Sequence, residues 1–146
     1  MKDILTAPFM VEMIRTAANM YAHGWDERNG GNISLLLSEE ELSLYLDTSE
    51  VIRTIDTGFS APDADGRYFL VTGSGKYFKN AQYTPETDLG IVRLAEQGRA
   101  AEVLWGFSDG GRFTSEFPAH MMSHAVRLKQ DPAHRAVMHC HPTNIL

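Results

Sequence analysis

Segments with a helix's spacing and segments with a strand's composition alternate along this chain from end to end, and that alternation is what most limits its fold. Phe9, Met10, Met13, Ile14, Ala17, Met20 and Tyr21 recur at three- and four-residue intervals, the period of an amphipathic helix, and Gly24 is placed to cap its end. Ser38 with Glu41 fits a capping box and predicts a short helix through about Tyr45. Thr114-Ser115-Glu116-Phe117-Pro118 predicts a helix start, with a hydroxyl cap and an early proline, followed by the buried stripe Phe117, Met121, Ala125 and Leu128. Strand-like runs lie after Asn32, near Val51 to Ile55, at Tyr68 to Thr72, at Leu89 to Leu94, at Ala101 to Phe107 and at Arg135 to His141. The breakers between Asp56 and Arg67 predict a surface loop or hairpin turn inside one domain. There is no repeat, so the expected class is α/β or α+β, with helices covering a largely antiparallel sheet of at least four strands.

Composition narrows the function. With 43% hydrophobic residues among 146, the chain can bury one core. Thirteen basic against nineteen acidic residues leave a net charge of -6, which gives no global field for a nucleic acid, so an anionic ligand must be held locally. A single cysteine, Cys140, and the absence of a signal-peptide pattern predict a cytoplasmic protein, and no early apolar stretch is long enough for a membrane anchor. A helix start at Pro142 followed by only four residues leads us to expect the N-terminal part of a longer protein.

Five of the six histidines fall between His120 and His141. His139 and His141 flank Cys140 in a predicted strand, where alternate side chains share a face with Cα atoms roughly 6.6 Å apart. One metal ion, zinc as the first choice, can bridge such a pair, while Cys140 points to the opposite face as a small buried thiol. Taken alone, a His-x-His pair reads more readily as two unrelated surface or hydrogen-bonded histidines; its place at the end of a strand, just before a helix start, favours the metal. His120 and His124 have an i, i+4 spacing but lie among apolar positions, which reads as packing and helix surface.

Glu116 follows two hydroxyl residues at a helix start, where backbone N–H groups favour an anion and Thr114 and Ser115 can bind phosphate. The structural alternative is that Ser115 caps the helix and Glu116 complements its dipole. Asn29-Gly30-Gly31-Asn32 and Gly73-Ser74-Gly75-Lys76 are glycine-rich loops that can cradle a phosphate or simply turn the chain. The second is not a Walker A loop, because Leu70 stands where the first glycine belongs and Tyr77 replaces the metal-binding hydroxyl. Gly106-Phe107-Ser108-Asp109-Gly110 matches a nucleophile elbow literally, but Gly110-Gly111-Arg112 is a poor helix start.

Together, Gly24 to Asn32, Val71 to Lys76, Thr114-Ser115-Glu116 with Pro118-Ala119-His120, and His139-Cys140-His141 resemble the class II aldolase/adducin family, in order along nearly the whole chain. The resemblance implies an α/β/α fold with a central, mostly antiparallel sheet. It implies a zinc-dependent homotetramer with one Zn2+ per subunit, acting on a sugar phosphate by reversibly cleaving L-rhamnulose 1-phosphate to dihydroxyacetone phosphate and L-lactaldehyde. By position it makes His139 and His141 two of three zinc ligands, with the third histidine beyond Leu146, and Glu116 the acid/base. Asn29, Asn32, Ser74, Thr114 and Ser115 match the residues around the phosphate, with Gly31 and Gly75 shaping those loops. The alternatives within the family are a fuculose-phosphate aldolase, a pentulose-phosphate 4-epimerase, a sugar-phosphate dehydratase, or a non-catalytic assembly module like the adducin head.

Overall fold

A computed structural model describes residues 1–26 and 30–141. Its elements are α1 (Pro8–Ala22), β1 (Asn32–Leu37), α2 (Glu39–Leu42), β2 (Arg53–Asp56), β3 (Tyr68–Thr72), α3 (Pro85–Asp88), β4 (Leu89–Ala95), β5 (Ala100–Gly106), α4 (Phe117–Gln130) and β6 (Ala136–His139). The six strands form one sheet in the order β2-β5-β4-β3-β1-β6, every neighbouring pair antiparallel. No helix among the described residues is long and apolar enough to cross a membrane. The expected helix start at Pro142 lies outside the described residues.

The apolar pattern explains the layers. All five residues of β3 are buried, as a strand covered on both faces must be. Tyr68 and Leu70 join a core cluster with Phe9, Met10, Met13 and Ala17 of α1, whereas Phe69 and Val71 join Phe117 and Met121 of α4. The sheet is therefore sandwiched between α1 and α4, the three-layer arrangement expected. Leu104 is an extra residue in β5, since Ile91 pairs with Trp105 and the adjacent Val92 with Val103; this bulge lets the consecutive residues Leu104 and Trp105 both face the α1-side core.

Local signals hold at most element ends. Gly24 has φ +71°, its N–H donates to the Tyr21 carbonyl at 2.9 Å and that of Trp25 to Met20 at 3.0 Å, which is a Schellman ending for α1. The capping box of Ser38 and Glu41 forms, but α2 stops at Leu42 rather than near Tyr45, and at its end the Ser43 hydroxyl donates to the Glu40 carbonyl at 3.1 Å. β2 starts two residues later than expected and pairs with β5, so the segment between Asp56 and Arg67 is a crossing loop and not a hairpin turn.

Helix α4 is seated by Phe117, which is fully buried and meets the rings of Phe113, Phe69 and Phe59 at centroid distances of 4.9, 5.8 and 6.4 Å. Truncation there leaves a cavity under the first turn of the helix. We expect Phe117→Ala to lower stability by about 3–5 kcal/mol in urea unfolding, and Phe117→Leu to cost clearly less; equal effects would show that the ring does not anchor α4.

Candidate active site

Antiparallel pairing brings the chemistry-bearing residues to one end of the sheet. The first residue of β1, Asn32, lies opposite His139, the last residue of β6, and Ser34 lies opposite Val137. β3 runs antiparallel to β1 on its other side, so Thr72 and the Gly73-Ser74-Gly75 loop leave the sheet at that same end. The segment before α4 then runs beside this loop: Gly73 bridges Phe113, the Thr114 amide donates to the Thr72 carbonyl at 2.9 Å, and the Ser74 amide to the Arg112 carbonyl at 2.8 Å.

Residues directly opposite in a sheet share a face, so Asn32, Ser34, Val137 and His139 look toward α4 while Ile33 and Met138 look toward α1. Glu116, the N-cap residue of α4, reaches across to this polar face. Its Oε2 accepts a hydrogen bond from the Asn32 amide, and its Oε1 lies 3.8 Å from His139 Nδ1. A cavity of about 190 Å³, lined by Asn32, Glu116, His120, Ser123 and His139 among others, opens onto the carboxylate.

His139 and His141 turn their imidazoles toward each other, with Nε2 atoms 2.8 Å apart and ring centroids at 4.8 Å. Two nitrogens at that separation lie within the span of a single zinc ion at ~2.0–2.1 Å from each. Imidazole is also the donor chemistry that zinc accepts, so the pair fits such an ion. Among the described residues there is no group of three or more histidine, cysteine or carboxylate ligands that could hold a metal. Cys140, between the two, packs against the α1-side core but is half-buried, not the fully buried thiol expected.

The glycine loop before β1 supports His141. The amides of Gly30 and Gly31 both donate to the Asp26 carbonyl, at 2.8 and 3.1 Å, and the His141 amide donates to the Trp25 carbonyl. A Cβ on Gly31 would lie 2.6 Å from Phe78 Cε2, a clash that glycine avoids, and one on Gly30 would lie in tight contact at 3.1 Å from His141 Cε1. These two amides are consequently internal to the loop rather than presented to an anion. Asn29 lies outside the described residues.

Asn32 departs most from its expected place beside a phosphate. It is 3% exposed, and its amide is engaged at both ends, by Glu116 and by His120 Nε2. Behind it, Ser34 Oγ bonds His120 Nδ1 at 2.6 Å and His124 Nε2 at 2.8 Å. Histidines 120 and 124 are therefore buried polar partners of β1. The sequence signal for them was present, since Asn32 and Ser34 alternate in an otherwise apolar strand and two histidines sit one helical turn apart.

Of the remaining expected anion ligands, Ser74, Gly75 and Ser115 are exposed and Gly75 has φ +73°. Thr114 is buried, and its hydroxyl accepts from the Glu116 amide at 3.3 Å; α4 itself starts after Glu116 with no side-chain cap, so the expected Ser115 cap does not form. Lys76 forms an ion pair with Asp109. Ser108, the serine of the apparent elbow, is followed by a turn and bonds Thr87 Oγ1 at 3.2 Å, with no helix behind it.

Burial disfavours the imidazolium form and pushes the pKa of both His120 and His124 down to about 4, against an ordinary value near 6.5. A depressed folded-state value means that the unfolded chain takes up these protons first as pH falls. The stabilisation is complete above about pH 6.5 and is lost toward pH 4. We expect urea unfolding at pH 5 to show about 2 kcal/mol less stability per histidine than at pH 7.5; equal stability at the two values would mean that these rings are not buried neutral.

Residues 11–146 match the Class II Aldolase and Adducin N-terminal domain. The chain is 54% identical over 145 residues to the rhamnulose-1-phosphate aldolase of Listeria monocytogenes serovar 1/2a, covering 99% of this chain and 53% of that protein. It is 51% identical to the Enterococcus faecalis protein of the same name, covering 99% of this chain and 52% of that one. The chain thus spans about half the length of the curated relatives it matches. A crystal structure of a sugar-phosphate aldolase from Thermotoga maritima superposes with a TM-score of 0.74 at 31% identity, over 94% of this chain and 56% of that one. Sequence and fold agree, and the chain belongs to the class II aldolase/adducin family.

Proposed function

We propose that residues 1–146 form one aldolase/adducin-like domain contributing the acid/base, two metal ligands and much of the phosphate site to an enzyme that reversibly cleaves L-rhamnulose 1-phosphate into dihydroxyacetone phosphate and L-lactaldehyde. The observation that carries this reading is the placement of Glu116, fixed by Asn32 on one oxygen and facing His139 with the other. The names of the relatives support the substrate. A homotetramer in the cytoplasm, with one zinc ion per subunit, completes the proposal.

His139 and His141 would hold the zinc ion, whose chemistry when bound is Lewis-acid polarisation of the substrate's oxygens. Glu116 moves the proton. When the C3–C4 bond breaks, the C4 hydroxyl gives up its proton and becomes the aldehyde carbonyl, the bonding electrons remain on the ketose-derived half, and the protonated carboxyl delivers a proton to C3; in condensation each transfer reverses, the carboxylate removing the C3 proton as the aldehyde oxygen takes one up. A positioned acid/base of this kind contributes ~10²–10⁴-fold. Ser74 and Ser115, exposed beside one another's segments, would hold the substrate phosphate, with Gly75 turning the loop and Asn29 and Thr114 completing it. Binding the phosphate away from the reacting bond fixes C3 relative to Glu116, so these groups contribute through orientation.

In the complete protein, Glu116→Gln is expected to retain zinc while losing ~10²–10⁴-fold in turnover, together with proton exchange at the hydroxymethyl carbon of dihydroxyacetone phosphate. Replacing His139 or His141 by Ala should remove zinc from the purified protein, as read by metal analysis. Undiminished exchange in the Glu116 variant would remove it from the chemistry, and a higher kcat/KM for another sugar phosphate would overturn the substrate.

A further inference from the structure

The side chains behind Glu116 form a connected series whose direction can be worked out by elimination. An ionised carboxylate only accepts hydrogen bonds, so the Asn32 amide turns its NH2 toward Glu116 and its carbonyl toward His120. His120 Nε2 must then carry the hydrogen, and the neutral ring leaves Nδ1 bare. That nitrogen can only accept, from the Ser34 hydroxyl 2.6 Å away. With its one hydrogen used, Ser34 accepts from His124 Nε2 at 2.8 Å. Every N–H and O–H between His124 and Glu116 therefore points toward the carboxylate. Both imidazoles are 2% exposed, and burial keeps them neutral with pKa values near 4, the state that this direction requires.

We propose that Ser34, His120 and His124 are positioning residues for the acid/base Glu116, holding the Asn32 amide in a single orientation so that it fixes Oε2 and leaves Oε1 directed toward His139 and the cavity. This rests on the role of Glu116 given above. Asn32 by itself could rotate its amide by half a turn and set a carbonyl against the carboxylate. A donor at His120 Nε2 forbids that, and aligned hydrogen bonds polarise one another in the same sense. The series thus fixes the position of a reacting group without touching substrate.

The test uses the complete, zinc-loaded protein and L-rhamnulose 1-phosphate. His120→Phe keeps a ring but removes the donor to Asn32; kcat is expected to fall by about tenfold or more while KM stays within about twofold and zinc content is unchanged. His120→Gln returns an N–H near the same place and is expected to recover to within about threefold of the unsubstituted protein. Ser34→Ala, a small change in volume, provides the same reading should the phenylalanine variant not fold, with kcat lowered by about threefold or more. Unchanged kcat in His120→Phe or Ser34→Ala, a loss confined to KM, or a glutamine variant no better than phenylalanine would overturn the proposal. Nitrogen-15 NMR of the histidine rings supplies a readout independent of activity: both are expected as neutral Nε2–H tautomers at pH 7, and an Nδ1–H or charged ring overturns the proposed direction. If the unsubstituted protein cleaves no sugar phosphate, the substrate reading fails by itself, and the ring tautomers still decide whether the series runs toward Glu116.

Discussion

Two polar side chains on one face of β1, an amide and a hydroxyl, are buried in the middle of a packed domain, and the site follows from how they are satisfied. Leaving such groups unpaired costs ~1–3 kcal/mol each. Helix α4 answers with two histidines. Two residues along a strand advance ~6.6 Å and four along a helix ~6 Å, so an i, i+2 pair on β1 matches an i, i+4 pair on α4 almost in step. Ser34 bonds both rings and Asn32 bonds one, and the amide left over reaches Glu116. The carboxylate is thereby tied to the sheet, not only to the helix that carries it.

The apolar half of the structure performs the complementary task. Phe117 follows Glu116 directly and is locked among three other phenylalanines, so the first turn of α4 is fixed from below by packing and from the side by hydrogen bonds. On the far side, the glycine loop after α1 is closed on the Asp26 carbonyl and joined to the His141 backbone. Polar groups that meet at one end of the sheet are thus each held by a different part of the core. This is how a small domain keeps an arrangement whose members come from distant segments.

What could be read in the sequence follows the range of the interaction that decides it. Helix α1 with its Gly24 ending, the capping box of Ser38, and strand β3 depend on residues a few positions apart, and all were legible. The alternation rule predicts His139 and His141 on one face of a strand; β6 ends at His139, two residues short of that expectation, yet the two rings meet. The course of the segment after Asp56 depends on which strands pair, which no local signal states. The same limit explains Asn32: its partners lie 84 and 88 residues away, so the glycine-rich surroundings suggested a phosphate contact while the fold turns the side chain inward. The hydroxyl cap expected for α4 does not form: the helix starts after Glu116, and the segment before it is instead tied to the sheet through the Thr114 amide and the Thr72 carbonyl.

β6 is the outermost strand on its side of the described sheet, with β1 as its one partner. Its side chains alternate between Val137 and His139 on the face toward α4 and Ala136 and Met138 on the other. A slip of a single position against β1 would exchange those faces, putting a thioether where an imidazole belongs and leaving the rest of the core intact. The strand's hydrogen-bonding register, more than global folding, then determines whether the ring of His139 meets that of His141, and fraying of this margin would separate the two rings long before the domain melts.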